Sequence, residues 1–200
     1  TDECELVGLT INVNTFSCDD QGANPVTLTV TDGSGNVATC QTIVNVLDDT
    51  PPDAICHSET FIHVDTAGLA EITASDIDNG TTDNCQLSSL TIDRASFSCT
   101  EPANVPVTLT ATDGSGNVAT CQTDVIVLDT IPPVAVCQNL TISLTTTDTT
   151  LTPEMLGGNS TDNCDSLILS INKSEFSCED HGTIQIVEVT ATDASGNSDI

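Results

Sequence analysis

The stretch VTLTATDGSGN, residues 107–117, decides the fold of this 200-residue chain. Apolar residues alternate with threonine over its first half, which is the two-residue period of a half-buried β-strand. The DGSG sequence at 113–116 is typical of a hairpin turn, because glycine accepts the positive φ that such turns need. A second β-rich run, Val118–Leu128, follows at once. The stretch therefore predicts a strand, a tight turn and a returning strand.

The same stretch occurs three times in the chain. It reads VTLTVTDGSGN at residues 26–36 and, more loosely, VEVTATDASGN at residues 187–197. Two cysteine motifs recur with it at offsets of 81 and 79 residues: Phe-Ser-Cys, ending at Cys18, Cys99 and Cys178, and Thr-Asp-Xaa-Cys, ending at Cys4, Cys85 and Cys164. Self-similarity at a fixed period identifies tandem copies of one unit, here of about 80 residues, which is a reasonable size for a small domain.

Two Pro-Pro pairs, at residues 51–52 and 132–133, mark the linkers between the copies. Proline donates no hydrogen bond to a sheet and stiffens the chain, so we expect short extended linkers there. The prediction is the C-terminal part of a repeat at 1–48, a complete repeat at 49–129, and at 130–200 a repeat lacking its last strand. By analogy with the second repeat, we expect a cysteine to follow the third.

Charge and composition exclude several classes of protein. The chain has 30 acidic residues and 2 basic ones, a formal charge of −28, so it cannot neutralise the phosphates of a nucleic acid or an anionic membrane surface. Val, Ile, Leu and Phe make up about a quarter of the residues, which is enough for a folded core. No apolar run is long enough to insert into a membrane.

The strand signals predict an all-β fold. The complete repeat holds six or seven short β-rich runs separated by turn residues and no helical period of useful length. Such a pattern predicts tandem immunoglobulin-like antiparallel β-sandwich repeats of about 80 residues. The chain has no Trp or Tyr, and no set of nucleophile and base recurs, so we expect no enzymatic activity.

The ten cysteines predict disulfides and an extracytoplasmic, oxidising environment, since none forms the close pairs of a zinc or thioredoxin-like site. The recurring spacing of 14 residues predicts the bonds Cys4–Cys18, Cys85–Cys99 and Cys164–Cys178.

A second kind of cysteine lies after each linker and after each hairpin. In an immunoglobulin-like sandwich the first and last strands run parallel, so we favour a bond between Cys56 and Cys121. This would leave Cys40 and Cys137 to pair with cysteines outside this sequence. The alternative pairs Cys40 with Cys56 and Cys121 with Cys137, across the linkers.

Acidic and amide residues recur at the linker, at the Thr-Asp-Xaa-Cys loop and at the hairpin, three segments that a sandwich brings to one end. Converging carboxylates without Lys or Arg need a cation, and oxygen ligands from flexible loops select Ca²⁺. The candidate ligands are Asp48, Asp49, Asp83, Asn84, Asp113 and Asn117, then Asp129, Asp162, Asn163, Asp193 and Asn197, and in the first repeat Asp2 and Asp32. The same residues also suit turns, which is the competing explanation.

The linker LDDTPPDAIC (residues 47–56), the loops TTDNC and STDNC (residues 81–85 and 160–164) and the hairpin TATDGSGNVATC (residues 110–121) together resemble the hyalin-type (HYR-like) tandem repeats of Bacteroidota cell-surface adhesins, including the SprB-type gliding-motility adhesins. The resemblance implies a bacterial cell-surface filament, export by type IX secretion, and adhesion to surface polysaccharide or other adhesin chains. Glu3 departs from the pattern, because asparagine precedes the cysteine in the other two loops.

The sequence hypothesis is therefore a structural stalk of an extracellular adhesin, in which neighbouring repeats are made rigid by calcium and disulfides. Two alternatives belong to other classes. One is a recognition module whose repeats bind a glycan or a protein, and the other is a spacer attached to an exported enzyme.

Overall fold

The computed structural model describes residues 6–102, 104–143, 149–164 and 167–200. Almost all regular structure in these ranges is β-strand, as the alternating pattern predicted. The strands are β1 (Leu6–Ile11), β2 (Gly22–Asp32), β3 (Val37–Val46), β4 (Glu59–His63), β5 (Leu69–Glu71), β6 (Leu87–Ile92), β7 (Ser96–Ser98), β8 (Val105–Asp113), β9 (Val118–Leu128), β10 (Thr149–Thr150), β11 (Leu167–Ile171), β12 (Glu175–Phe176), β13 (Val189–Asp193) and β14 (Ser198–Asp199).

Helical structure is confined to short segments. The described ranges contain two helices, α1 (Ala74–Ile77) and α2 (Pro153–Gly157), and single 3₁₀ turns at Cys18–Asp20 and Cys178–Asp180. None of the described helices has the length and apolar character to span a membrane.

The chain divides into two compact units. The first comprises Thr1–Cys56, Asn79–Thr91 and Thr110–Cys121, and the second comprises His57–Asp78, Ile92–Leu109 and Gln122–Ile200. The boundaries of these units differ from those of the sequence repeats, and the division at 48/49 and 129/130 stays a prediction. Each disulfide between described residues has both of its cysteines in one unit.

The first repeat contributes a three-stranded antiparallel sheet in the order β1-β2-β3. The predicted hairpin joins β2 to β3, which pair from Gly22 with Val46 to Thr31 with Val37. Gly35 in its turn has a φ of 85°, and the equivalent Gly116 and Gly196 have φ values of 92° and 91°. The turn glycines are therefore required by the backbone, because other residues are strained at such angles.

The second repeat forms two sheets, a four-stranded sheet in the order β4-β9-β8-β6 and a two-stranded sheet of β5 and β7. β4 and β9 run parallel, with Glu59 opposite Asp124 and His63 opposite Leu128. The first and last strands of an immunoglobulin-like sandwich have this parallel arrangement. The predicted fold class, an all-β immunoglobulin-like sandwich repeat, is confirmed.

A small apolar core accompanies these sheets. In the second repeat Phe97, Leu109, Val125 and Ile77 are buried, with at most 2% of their surface exposed. In the third repeat the buried residues Leu151, Leu156, Phe176 and Val189 form one cluster. The strands of the third repeat are shorter, in sheets β11-β13-β14 and β10-β12.

Three disulfides are present in the described part of the chain: Cys18–Cys85, Cys56–Cys121 and Cys99–Cys164. The structure thus contains the Cys56–Cys121 bond that we favoured, which excludes the alternative pairing across the linkers. Cys40, Cys137 and Cys178 are exposed free thiols. Three disulfides are typical of a secreted or extracellular protein.

The predicted bonds Cys4–Cys18, Cys85–Cys99 and Cys164–Cys178 are wrong. Cys18 bonds to Cys85 and Cys99 to Cys164 instead, so each bond joins one repeat to the next. The physical reason is that β6 lies in the four-stranded sheet whereas β7 pairs with β5. The chain changes sheets between Cys85 and Cys99 and makes no hairpin that would bring them together. Cys4 lies outside the described residues.

Candidate metal centres

The alternating pattern of β8 places a carboxylate in the buried row of the strand. Val105, Val107, Leu109 and Ala111 are buried and the intervening residues are more exposed, and the fifth member of the buried row is Asp113, which is 2% exposed. β13 repeats this arrangement, where Asp193 is 4% exposed. The two-residue period that forms the core thus also fixes an acid at the end of the strand.

The hairpin turn surrounds the Asp113 carboxylate with donors. Its Oδ1 accepts hydrogen bonds from the backbone N–H groups of Ser115 (2.9 Å) and Asn117 (2.7 Å), and its Oδ2 accepts one from the Asn117 side chain (2.7 Å). Burial alone would raise the pKa of Asp113, but these hydrogen bonds and one from Gly116 hold it below its usual value. Asp113 is therefore ionised at neutral pH.

Two further carboxylates converge on Asp113. One carboxylate oxygen from each of Asp48, Asp83 and Asp113 lies within 4.8 Å of the other two. We call these three residues, with the amides of Asn84 and Asn117, the first acidic cluster. Asp48 comes from the start of the linker and Asp83 from the Thr-Asp-Asn-Cys loop, so the three segments predicted to meet do meet.

The two asparagines connect the linker to the other segments of the first acidic cluster. The Asn117 amide donates to the backbone carbonyl of Asp48 at 3.0 Å, and the Asn84 amide donates to the Asp48 carboxylate Oδ1 at 3.2 Å. Asp83 is fixed by the backbone N–H of Cys85, at 2.9 Å from its Oδ2. The amides orient the acids and leave other carboxylate oxygens free to accept a further partner.

The same arrangement recurs at the next linker, in a second acidic cluster of Asp129, Asp162, Asn163, Asp193 and Asn197. The Asn197 amide donates to the Asp129 carbonyl at 3.2 Å, and the Asn163 amide donates to Asp129 Oδ1 at 3.3 Å. The Cys164 backbone N–H donates to Asp162 Oδ2 at 2.8 Å. The hydrogen bonds that Asn117, Asn84 and Cys85 make in the first acidic cluster thus have counterparts in the second. Asp193 is held by the Asn197 amide, which donates to its Oδ2 at 2.7 Å, and the carboxylate oxygens within 4.8 Å of each other are those of Asp129 and Asp162.

Cys164 lies within this second group but is no thiolate ligand. Its sulfur is within 4.8 Å of carboxylate oxygens from Asp129 and Asp162, and it forms the disulfide with Cys99. A disulfide sulfur is a poor ligand, since metals bind the thiolate form. The donor set is therefore made of oxygen atoms, which suits a hard cation such as Ca²⁺.

Several oxygens in the clusters are buried and accept no hydrogen bond within the described part of the chain. They are Asp48 Oδ2 and Asp83 Oδ1 in the first cluster, and Asp162 Oδ1 and Asn163 Oδ1 in the second. A buried carboxylate oxygen without a donor is costly, because it loses its hydration and gains nothing in return. Oδ1 of Asp83 and Oδ1 of Asp162, which occupy equivalent positions in the two clusters, are both buried without a donor among the described residues. A bound cation would satisfy all four oxygens.

No basic side chain neutralises the clusters. Arg94 and Lys173 are the two basic residues of the chain, and they pair with Glu101 and Asp180. The three converging carboxylates of the first cluster, and those of Asp129 and Asp162 in the second, therefore repel one another unless a cation lies between them.

Three predicted ligands are not brought into a cluster. Asp49 is exposed and is not one of the three converging carboxylates. Asp32 has the same turn as Asp113, with the Asn36 side chain lowering its pKa, but among the described residues it belongs to no group of three ligands. Asp2 lies outside the described part of the chain.

A turn of the second repeat, absent from our predictions, also contacts the second acidic cluster. The Asn163 amide donates to the backbone carbonyl of Asp65 at 3.2 Å. Close by, Gly68 has a φ of 72°, and a Cβ added to it would lie 2.7 Å from the Asn163 carbonyl oxygen and 2.9 Å from the Cys99 sulfur. The sequence alone could not predict this contact, because Gly68 looks like any other glycine in a turn.

We expect Gly68→Ala to destabilise the protein by about 2–3 kcal/mol, since positive φ costs roughly 1 kcal/mol and the clash with backbone adds to it. Gly182→Ala is the matched control: Gly182 has a similar φ of 75°, but nothing lies within 4 Å of its added Cβ. Thermal unfolding followed by circular dichroism measures both. Equal losses in the two variants would contradict the contact.

Among known proteins, similarity is found only at the level of the three-dimensional structure. No protein-family model matches the chain, and a search of curated proteins gives no match. Among solved structures, the chain is similar to the protocadherin GammaB4 extracellular domain, with 17% identity and a TM-score of 0.37 over 97% of this chain and 42% of that one. It is also similar to protocadherin Gamma B7 extracellular cadherin domains 1–4, with 12% identity and a TM-score of 0.33 over 97% of this chain and 65% of that one.

The chain thus spans between 42% and 65% of the length of these two structures. The fold assignment rests on the geometry of the chain itself. That geometry defines a class: tandem immunoglobulin-like β-sandwich repeats that carry an acidic cluster at each linker.

Proposed function

We propose that this chain is a structural repeat region of an extracellular bacterial adhesin, and that Ca²⁺ bound at each linker stiffens the connection between repeats. The observation that carries the proposal is that carboxylates converge at both linkers, and that the equivalent buried oxygens Asp83 Oδ1 and Asp162 Oδ1 accept no hydrogen bond from the described residues. The resemblance to HYR-like repeats supports a role at the bacterial cell surface, with type IX secretion, gliding motility and adhesion to polysaccharide or other adhesin chains as its context. The function is non-enzymatic.

The chain's own residues explain why a cation would act on the linker. Asp48 supplies a linker carboxylate, Asp83 a loop carboxylate and Asp113 a carboxylate fixed in the sheet. Bound Ca²⁺ would supply the positive charge that holds these three segments together. Two backbone hydrogen bonds already join linker to loop, from the Asp53 N–H to the Thr82 carbonyl and back, at 2.8 and 3.2 Å. A cation would remove the repulsion that opposes them.

Isothermal titration with CaCl₂ tests the proposal. We expect binding of two Ca²⁺ ions per chain, one for each acidic cluster, and no binding once EDTA is present in excess. Oxygen-only sites in loops bind calcium in preference to magnesium, so the same titration with MgCl₂ gives much weaker heats. An absence of calcium heats, together with an unchanged melting temperature in EDTA, would refute the site.

Hydrogen exchange separates linker stiffening from binding alone. Calcium is expected to slow the exchange of the Asp53 and Val134 amides, which bond to the loop carbonyls of Thr82 and Thr161 at 2.8 Å. The Ile72 amide, which bonds to Ala95 within the second repeat at 2.9 Å, is the internal control. If calcium binds but the exchange of the Asp53 and Val134 amides does not slow, the metal site is supported and the stiffening of the linker is contradicted.

A further inference from the structure

Two of the three disulfides join successive repeats in the same way. Each links the cysteine of a Phe-Ser-Cys turn to the cysteine of the next repeat's Thr-Asp-Asn-Cys loop, as Cys18–Cys85 and as Cys99–Cys164. The sequence separations are 67 and 65 residues. Each bond passes over one linker. The Phe-Ser-Cys cysteine is therefore the forward attachment point of a repeat, and the Thr-Asp-Asn-Cys cysteine is the receiving point.

Cys178 is the third Phe-Ser-Cys cysteine, and it is an exposed free thiol. It begins a 3₁₀ turn, Cys178–Asp180, as Cys18 begins the turn Cys18–Asp20. In both turns the aspartate at the third position accepts a hydrogen bond from the N–H of the serine before the cysteine, at 3.0 Å for Ser177 and 2.7 Å for Ser17. Cys178 is thus presented in the same backbone geometry as a cysteine that is bonded.

The two basic residues of the chain hold these cysteine turns. Arg94 and Lys173 lie 4.9 and 4.8 Å from the ring centres of Phe97 and Phe176, the aromatic residues of their own Phe-Ser-Cys motifs. Each also pairs with an acid seven residues further on, Arg94 with Glu101 and Lys173 with Asp180. The turn that carries the bonded Cys99 and the turn that carries the free Cys178 are therefore fixed by equivalent cation contacts.

We propose that Cys178 is a covalent docking site for the Thr-Asp-Xaa-Cys loop of another copy of this repeat, so that the disulfides form a continuous series along the assembly. The evidence is the pair of equivalent bonds at Cys18 and Cys99. In a second copy of this chain the receiving motif in the sequence is Thr1 to Cys4, which lies outside the described residues. The inference does not depend on calcium, and it goes beyond the proposed stalk function.

The bond forms by thiol–disulfide exchange, with oxidised glutathione as the oxidant. The Cys178 thiolate attacks one sulfur of the glutathione disulfide and releases one glutathione thiolate. The Cys4 thiolate of the second copy then attacks the Cys178 sulfur of this mixed disulfide and releases the second glutathione. Two protein thiols thus lose two protons and two electrons, and one glutathione disulfide becomes two glutathione thiols.

The test incubates the purified chain at high concentration with oxidised and reduced glutathione, followed by non-reducing electrophoresis and peptide mapping. We expect a ladder of disulfide-linked multimers whose cross-linked peptides join Cys178 of one copy to Cys4 of another. Cys178→Ser and Cys4→Ser should each abolish that ladder. Cys40→Ser and Cys137→Ser are matched controls, because each removes an exposed free thiol of another motif, and both should retain the ladder.

A ladder that survives Cys178→Ser, or cross-linked peptides joining Cys178 to Cys40 or Cys137, would overturn the proposal, as would a chain that stays monomeric throughout. Circular dichroism of Cys178→Ser verifies that it folds. The same experiment in EDTA keeps this result separate from the calcium proposal, because the ladder should form equally well there.

Discussion

Asp83→Asn is expected to have opposite effects with and without calcium. In EDTA the variant should be as stable as the parent or more stable by about 1 kcal/mol, because it removes one of three like charges and solvent screens part of the gain. With calcium at a hundred times the dissociation constant, the parent gains about 2.7 kcal/mol per site. The variant should lose most of the contribution of the first acidic cluster, since an amide oxygen is a weaker ligand than a carboxylate.

The reversal of sign distinguishes a metal site from a turn. Asparagine retains an oxygen that can accept the Cys85 N–H, so a purely structural role for Asp83 predicts little change in either condition. Asp49→Asn is the matched control, because it removes one acidic charge beside the same cluster from an exposed residue. Melting temperatures of the parent and both variants in calcium and in EDTA provide the measurement. A calcium-induced shift of equal size in all three proteins would contradict a site at Asp83.

Much of the fold was predictable because one short pattern carries it. The alternation in residues 107–112 determines which side chains of β8 enter the core, and the DGSG turn determines where the chain reverses. The three occurrences of that pattern predicted the repeat. The rule that the first and last strands of an immunoglobulin-like sandwich run parallel predicted that β4 and β9 run in the same direction. The first two features depend on neighbouring residues, and the pairing of β4 with β9 follows from the general topology of the sandwich.

The acidic clusters were predictable for a related reason. Asp113 continues the buried row of β8, and its neighbours in space come from the two segments that a sandwich brings to the same end. The sequence could not identify which linker aspartate turns inward. Asp48 and Asp49 are adjacent and chemically identical, and the structure distinguishes them: Asp48 accepts hydrogen bonds from Asn84 and Asn117, and its carboxylate is the one that lies beside Asp83 and Asp113.

The cysteine pairing could not be read from spacing, because repetition makes it ambiguous. In a tandem array, a fixed distance from Cys85 to Cys99 within one repeat recurs as faithfully as a fixed distance from Cys18 to Cys85 between repeats. The change of sheet between β6 and β7 decides between them. Arg94 and Lys173 occupy equivalent positions in their repeats, but the sequence did not indicate their role. The structure shows that each contacts the phenylalanine ring of its own Phe-Ser-Cys motif.

Removal of the Cys56–Cys121 bond is expected to cost the second repeat about 4 kcal/mol, the chain-entropy value for a closed loop of 65 residues. The bond connects the segment after the linker to β9, whose Val125 is fully buried in the core. That core is small and has one buried aromatic residue, Phe97, so a repeat of about 80 residues has little stability to spare. We therefore expect the double variant Cys56→Ser/Cys121→Ser to unfold in this repeat at a markedly lower urea concentration.

The matched control for this loss is Cys40→Ser/Cys137→Ser, which makes the same two substitutions at exposed free thiols and breaks no bond. The chain contains no Trp or Tyr, so unfolding in urea is followed by far-ultraviolet circular dichroism and not by intrinsic fluorescence. The control should unfold with the parent, since substitutions at exposed positions change stability by about 0.5 kcal/mol or less. If both double variants unfold at the same urea concentration, the disulfide contributes nothing measurable, and the stability of the repeat must come from its sheets and its acidic cluster alone.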